Sequence, residues 1–99
     1  MSKELTQRLQ TYGALAYPAE KIASIEQLDN TQYLHLLKQL SNPETVEAKQ
    51  YRHGADVAEY KIDLLLYELA LQGDLKAMSE YNSRREQKTK QNAKATRQR

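Results

Sequence analysis

Three observations predict an all-α fold for this chain. Apolar residues recur at three- and four-residue spacings along most of its length, which is the period of one helix face. Only two prolines and three glycines interrupt 99 residues, and the rest is rich in Leu, Lys, Glu and Gln, all favourable in helices. The breaks between apolar periods coincide with Pro, Gly, Asp or Asn, residues that stop one helix and start the next. The expected architecture is an N-terminal helix-turn-helix, a long two-faced helix, a short helix and a basic tail.

The first period is Leu5, Leu9, Tyr12 and Ala16, one helix face, and Tyr17-Pro18 ends it because Pro disfavours α geometry in the residue before it. A second helix then runs from about Pro18 to Gln27 with Ile22, Ala23 and Ile25 inward, and Leu28 lies in the turn after it. Asp29 or Asn30 caps a third helix through its side-chain oxygen. That helix extends to about Leu40, with Tyr33, Leu36, Leu37 and Leu40 facing in. Ser41-Asn42-Pro43-Glu44 is a further stop-and-restart signal.

From Glu44 to Gln72 the pattern is continuous, roughly 43 Å if it forms one helix. Gly54 either bends it or permits a close approach. Tyr51, Ala55, Ala58, Ile62, Leu65 and Leu69 form one apolar row, and Val57, Tyr60, Leu64, Tyr67 and Leu71 form another. At 100° per residue the two rows are roughly opposed. Two opposed faces are satisfied either by burial on both sides within one subunit or by a second subunit. The second row is the expected oligomer interface, because the short helix after Gly73 covers little area. Gln72-Gly73-Asp74 combines a C-terminal glycine with a new N-cap. The last helix begins at Leu75, with Met78 and Tyr81 inward. The expected segments are 1–42, the helix-turn-helix region; 43–81, the packing and oligomerisation helices; and 82–99, the tail.

The formal net charge of +2 conceals a gradient. Residues 1–50 carry −1, residues 51–80 carry −3 and residues 81–99 carry +6. After Tyr81 no apolar residue exceeds Ala, so the tail is expected to be disordered or a frayed helix extension. Its Arg84, Arg85, Lys88, Lys90, Lys94, Arg97 and Arg99 suit contacts with a polyanion.

Other classes find little support. Mean hydropathy is −0.87, and no apolar run reaches the roughly 18 to 20 residues of a membrane span. The charged N-terminus lacks the apolar stretch of a secretory signal, so a cytoplasmic location is expected. Without cysteine there is no disulfide, thiolate metal site or Cys nucleophile. His35 and His53 stand on separate expected helices, and no catalytic or nucleotide-binding motif is present. Asp56, Glu59 and Asp63 read as a solvated strip. The residues therefore point to a binding protein, with no enzyme activity, metal or cofactor expected. Seven tyrosines without Phe or Trp fall mostly on apolar rows, where they pack with the hydroxyl reaching water.

Residues 18–37 have the layout of a helix-turn-helix: a short helix with a small residue at the crossing, Ala23, an apolar plug, Leu28, and a helix anchored by Tyr33 and Leu36. The outward residues of its second helix are Thr31, Gln32, His35, Lys38 and Gln39. Amide side chains read adenine edges, and Lys or His reaches guanine or phosphate, so the set suits a major groove. The alternative is a purely structural bundle whose exposed face is polar like any other.

The strings YGALAYPAEKIASIEQL at residues 12–28 and YLHLLKQLSNPETVEAKQYRHGADVAEYKIDLLLYELALQGDLKAMSEYNSRR at residues 33–85 resemble the small terminase subunits and related DNA-binding proteins of tailed phages. Where that pattern has an apolar residue and Gly in the turn, this chain has Glu26 and Gln27. The resemblance implies recognition of viral DNA for packaging in a bacterial host, oligomerisation through central helices, and a large ATPase-nuclease subunit as partner. It assigns Ala23, Leu28 and Tyr33 to the helix-turn-helix core, Gln32, His35, Lys38 and Gln39 to DNA, and Tyr60, Leu64, Tyr67 and Leu71 to subunit contacts. The −1 charge of residues 1–50 runs against a duplex-binding role for that half, since phosphate neutralisation supplies much of the affinity. The competing class is a structural helical protein of a virion or mobile element whose tail touches nucleic acid nonspecifically.

Overall fold

The computed structural model describes residues 2–97, and the side chains of residues 2–93. It contains five helices, α1 (Lys3–Ala14), α2 (Ala19–Glu26), α3 (Asn30–Ser41), α4 (Val46–Leu71) and α5 (Leu75–Arg97), and no strand among the described residues. The chain is all-α, as its periodicity predicts. It divides into two compact units, Met1–Glu59 and Tyr60–Arg99, and the boundary falls inside α4.

In the first unit each helix begins at a defined cap. The Ser2 hydroxyl accepts from the Leu5 N–H at 3.1 Å. At α3, Asp29 and Gln32 form a reciprocal capping box, Gln32 N–H donating to Asp29 Oδ1 at 2.8 Å and Asp29 N–H to Gln32 Oε1 at 2.9 Å. Thr45 starts α4, its hydroxyl accepting from the Ala48 N–H at 3.1 Å and donating to the Gln39 carbonyl at 2.6 Å. Pro18 stands one residue before α2, where its carbonyl accepts from the Ile22 N–H.

Three helix ends share one closing pattern. After α1, Tyr17 N–H donates to the Tyr12 carbonyl and Ala16 N–H to that of Gly13; after α2, Leu28 donates to Ala23 and Gln27 to Ser24; after α4, Asp74 donates to Leu69 and Gly73 to Ala70. This paired arrangement needs a left-handed residue just past the helix. Gly73 (φ +93°) fills it without steric cost, whereas Ala16 (φ +58°) and Gln27 (φ +56°) fill it with a Cβ in place. The first closure also stacks Tyr17 on Tyr12, with ring centroids 6.3 Å apart.

Leu5, Leu9, Tyr12, Ile22 and Leu36 form the buried core of this unit, with Tyr17, Ala19, Leu28, Leu40 and Tyr51 packed around it. Leu9, Ile22 and Leu36 are fully enclosed, each contributing about 2 kcal/mol of transfer free energy. Two inward expectations fail. Ala16 is exposed because α1 ends at Ala14 and the chain has already turned. Ile25 is 49% exposed because Glu26, four residues after Ile22, takes the place facing α1. There Arg8 donates to Glu26 through Nε at 2.8 Å and through Nη2 at 2.5 Å, and the Tyr12 hydroxyl donates to the same carboxylate. The Arg8 bonds, joined by that of Tyr12, hold the Glu26 carboxyl below its usual range despite partial desolvation.

α1 crosses α4 at two glycines. A Cβ on Gly13 would overlap the Tyr51 carbonyl oxygen, and a Cβ on Gly54 would overlap that of Gln10. Gly54 therefore serves close approach. The Tyr51 hydroxyl, donating to the Tyr17 carbonyl at 2.8 Å, ties the same crossing to the end of α1.

The second unit is an antiparallel helical hairpin. Around the Gly73 turn, Ala70 and Ala77 are buried, the Tyr67 and Tyr81 rings lie 5.5 Å apart, and Asp63 receives Arg84 and Lys88. Ala77 takes the enclosed position expected of Met78, which is exposed, while Tyr81 is half-buried. α5 does not end near Tyr81; it continues to Arg97. Of the two expectations for the tail, disorder or a helix extension, the described part takes the second: it continues α5, as the helix preference of Arg, Lys, Gln, Glu and Ala favours, and Asp63 binds Arg84 and Lys88 within it.

Candidate nucleic-acid interface

The α2–turn–α3 segment is short and well closed. α2 has two turns, Gln27 reverses the chain, Leu28 packs on the core, and the capping box launches α3. Leu36 is enclosed, while Tyr33, Leu37 and Leu40 are half-buried. Ala23 is half-buried on α2, and α2 packs against α3.

Of the expected base-facing residues, Thr31, Gln32, His35 and Lys38 are exposed and Gln39 is half-buried. The Gln32 amide oxygen is engaged with the Asp29 N–H, so this side chain is oriented by the helix start. Thr31, Gln32 and His35 also surround a hollow of about 380 Å³ whose floor is Leu5 and Leu28. The surface here is thus a polar rim over an apolar floor. On the other side of the turn, Glu20 and Asp29 bring two carboxylates to a shallow depression of about 400 Å³ beside Ala23 and Tyr33. Residues 1–59 hold six Lys/Arg against eight Asp/Glu, for −2. This unit does not attract phosphate by net charge.

Positive charge resides in the other unit. Residues 60–99 hold nine Lys/Arg against five Asp/Glu, for +4. Arg84 Nε donates to Asp63 Oδ1 at 2.5 Å, and Lys88 Nζ donates to Asp63 Oδ2. The Lys88 bond, then that of Arg84, lowers the Asp63 carboxyl below its usual range. Arg85 is exposed. Lys90 pairs with Glu86 at 3.4 Å across one helical turn, both exposed. Arg99, and the side chains of Lys94 and Arg97, lie outside the described residues.

The expected oligomer row divides between the units. Val57 is half-buried in the first. Tyr60, Leu64, Tyr67 and Leu71 belong to the hairpin and are all exposed, Tyr60 at 63% and Leu71 at 70%. Ile62 and Leu65, assigned to the opposite row, are also exposed, and among the described residues of the hairpin only Ala70 and Ala77 are buried.

Sequence reasoning passed over three participants. Glu26 looked like a misfit in the turn and is the acceptor that ties α2 to α1. Asp63 read as one member of a solvated strip and binds two cations. Gly13 carried no signal of its own, although its i−3 partner Gln10 and the Tyr51–Gly54 pair repeat the same spacing. No three His, Cys, Asp or Glu side chains among the described residues are grouped to hold a metal ion, and no described helix is long and apolar enough to cross a membrane. The chain matches no protein-family model, no curated protein and no solved structure.

Proposed function

We propose that this chain is an oligomerising, non-enzymatic DNA-binding protein of the small-terminase type, in which the hairpin gathers both subunits and phosphate while α3 meets the groove. The observation that carries this reading is the coincidence, on one hairpin, of exposed large apolar side chains and a +4 charge. Exposed Tyr60, Leu64, Tyr67 and Leu71 favour self-association, and the cations of α5 favour a polyanion. Thr31, His35 and Lys38 supply the outward groups of α3. In this role the protein recognises viral DNA in the host cytoplasm and presents it to a large ATPase-nuclease subunit.

A structural helical protein with nonspecific nucleic-acid contact is favoured by one observation, the engagement of Gln32 in the capping box within an acidic unit. Two measurements on the full chain decide between them. Light scattering reports a discrete oligomer under the proposal. Selection from a random duplex pool returns an enriched sequence if α3 reads bases. Monomeric protein that enriches nothing would sink the proposal and leave the structural reading.

A further inference from the structure

The hairpin packs small residues inward and large ones outward. Ala70 and Ala77 are buried, whereas Tyr60, Leu64, Tyr67, Leu71 and Met78 are exposed. The α4 members of that set recur at spacings of four, three and four, the seam of a coiled helix pair. The Tyr67 ring lies 5.5 Å from that of Tyr81, so the row borders α5. Met78, three residues before Tyr81, extends the same apolar side onto α5. Within the hairpin the opposite row exposes only Ile62 and Leu65 as large apolar side chains, and Leu69 is half-buried.

The two edges of the Tyr60–Leu71 row differ. At 100° per residue, Asp63 and Ala70 lie about a quarter turn to one side, and this is the edge that α5 covers. Lys61 and Glu68 lie about a quarter turn to the other side, both exposed. Seven residues apart on one helix, they stand about 10 Å from each other along its axis and cannot pair. We propose that this side of the hairpin docks on the same side of a second copy, the two α4 helices running antiparallel about a two-fold axis, with Lys61 of each copy facing Glu68 of the other. This rests on the self-association reading and gives it a surface, a direction and a register.

Charge and shape both select this occupant. A two-fold axis between Leu64 and Tyr67 sets Leu64 against Tyr67 and Tyr60 against Leu71, and it repeats every contact twice. The same register brings Lys61 and Glu68 together at both ends of the contact. Antiparallel pairing also sets uncovered edge against uncovered edge. A parallel pair would set the Lys61–Glu68 edge of each copy against the edge that α5 already covers in the other. Burying Tyr60, Leu64, Tyr67, Leu71 and Met78 on both copies removes roughly 1,000 Å² from water, the area at which a specific interface begins, before any polar rim is added.

Charge reversal tests the arrangement by analytical ultracentrifugation of the full chain at low salt. Lys61→Glu and Glu68→Lys should each weaken self-association by about fivefold, because every dimer then holds two like-charge contacts. An equimolar mixture of the two variants should regain the affinity of the unsubstituted chain, since each unlike pair restores both contacts. No contact within one chain produces that rescue. Both positions are exposed, so helix content by circular dichroism should not change. Leu64→Asp should dissociate the dimer, and Leu65→Asp, on the opposite row, should leave it intact. Rescue by mixing together with a dimeric Leu65→Asp supports the proposal. Oligomers indifferent to both reversals, or weakened by each and not rescued by mixing, overturn the antiparallel register and leave the self-association reading standing. Dissociation by Leu65→Asp but not by Leu64→Asp overturns the choice of side. An unsubstituted chain that stays monomeric at high concentration overturns the docking surface and the self-association reading together.

Discussion

Gly13 on α1 and Gly54 on α4 pack reciprocally, each against the backbone three residues from the other, Gly13 on Tyr51 and Gly54 on Gln10. The symmetry of the crossing leaves no side chain between the two helices at these points. An exposed helical Gly→Ala change ordinarily stabilises by about 1 kcal/mol. Here the added methyl meets backbone that no rotamer change can move. Gly13→Ala and Gly54→Ala should each destabilise by about 2 to 3 kcal/mol, measured by urea unfolding of the full chain. A gain in stability at either position would mean the crossing is looser than described.

Ala16 and Gln27 should respond in the opposite direction. Both hold left-handed backbone with a Cβ, at a cost of roughly 1 kcal/mol relative to Gly. Ala16→Gly and Gln27→Gly should each raise stability by about 0.5 to 1 kcal/mol, whereas Gly73→Ala should lower it. A thermal melt of each variant checks the sign. A loss in Gln27→Gly would show that its side chain makes a contact outweighing the strain.

The Arg8–Glu26–Tyr12 cluster predicts a pH profile with two edges. Glu26 has a lowered carboxyl pKa through Arg8, so the unfolded chain binds its proton more readily. Its contribution is present above the unfolded carboxylate value and is lost as pH falls through the lower folded value. Tyr12 is raised by its bond to Glu26; its contribution is present below the unfolded tyrosine value and is lost as pH rises through the folded one. Stability should therefore drop in acid below the ordinary Glu range and again in alkali above the ordinary Tyr range. Glu26→Gln should diminish both edges, and an unaltered profile in that variant would assign the edges to other groups.

Leu64 tests association apart from folding. It is 39% exposed in the single chain, so Leu64→Asp should cost the monomer little while placing a carboxylate in the proposed subunit contact, where burial is expensive. Light scattering should report a smaller, fully helical species. Global unfolding would assign this position to the interior of one subunit.

Gln32 and His35 separate stability from recognition on α3. Gln32→Ala removes half of the capping box and should lower stability by about 1 kcal/mol, whatever its effect on DNA. His35→Ala and Lys38→Ala disturb no hydrogen bond described above. Under the proposed function, His35→Ala erodes preference for a selected site, and Lys38→Ala weakens all duplexes alike. Equal, sequence-independent effects from both would remove base reading from α3.

Helix existence is legible in the sequence because it depends on local interactions. The period of Leu5, Leu9 and Tyr12, the Asp29 cap, the Gly73 stop and the absence of strand punctuation are each settled within a few residues, and α1 to α5 begin near where those signals stand. What the tertiary structure decided depends on residues far apart in the chain. Gly13 and Gly54 are ordinary helix-weakening glycines until α1 and α4 cross, and Glu26 is a poor turn residue until Arg8 and Tyr12 arrive from another helix. Apolar periodicity leaves the basic tail open between disorder and a helix extension, because it counts only apolar burial. Asp63, more than twenty residues away, supplies charge and hydrogen bonds that no local window contains. The exposure of Leu64 and Tyr67 was likewise undecidable from spacing, since an apolar row states which residues share a face and not what, if anything, covers it.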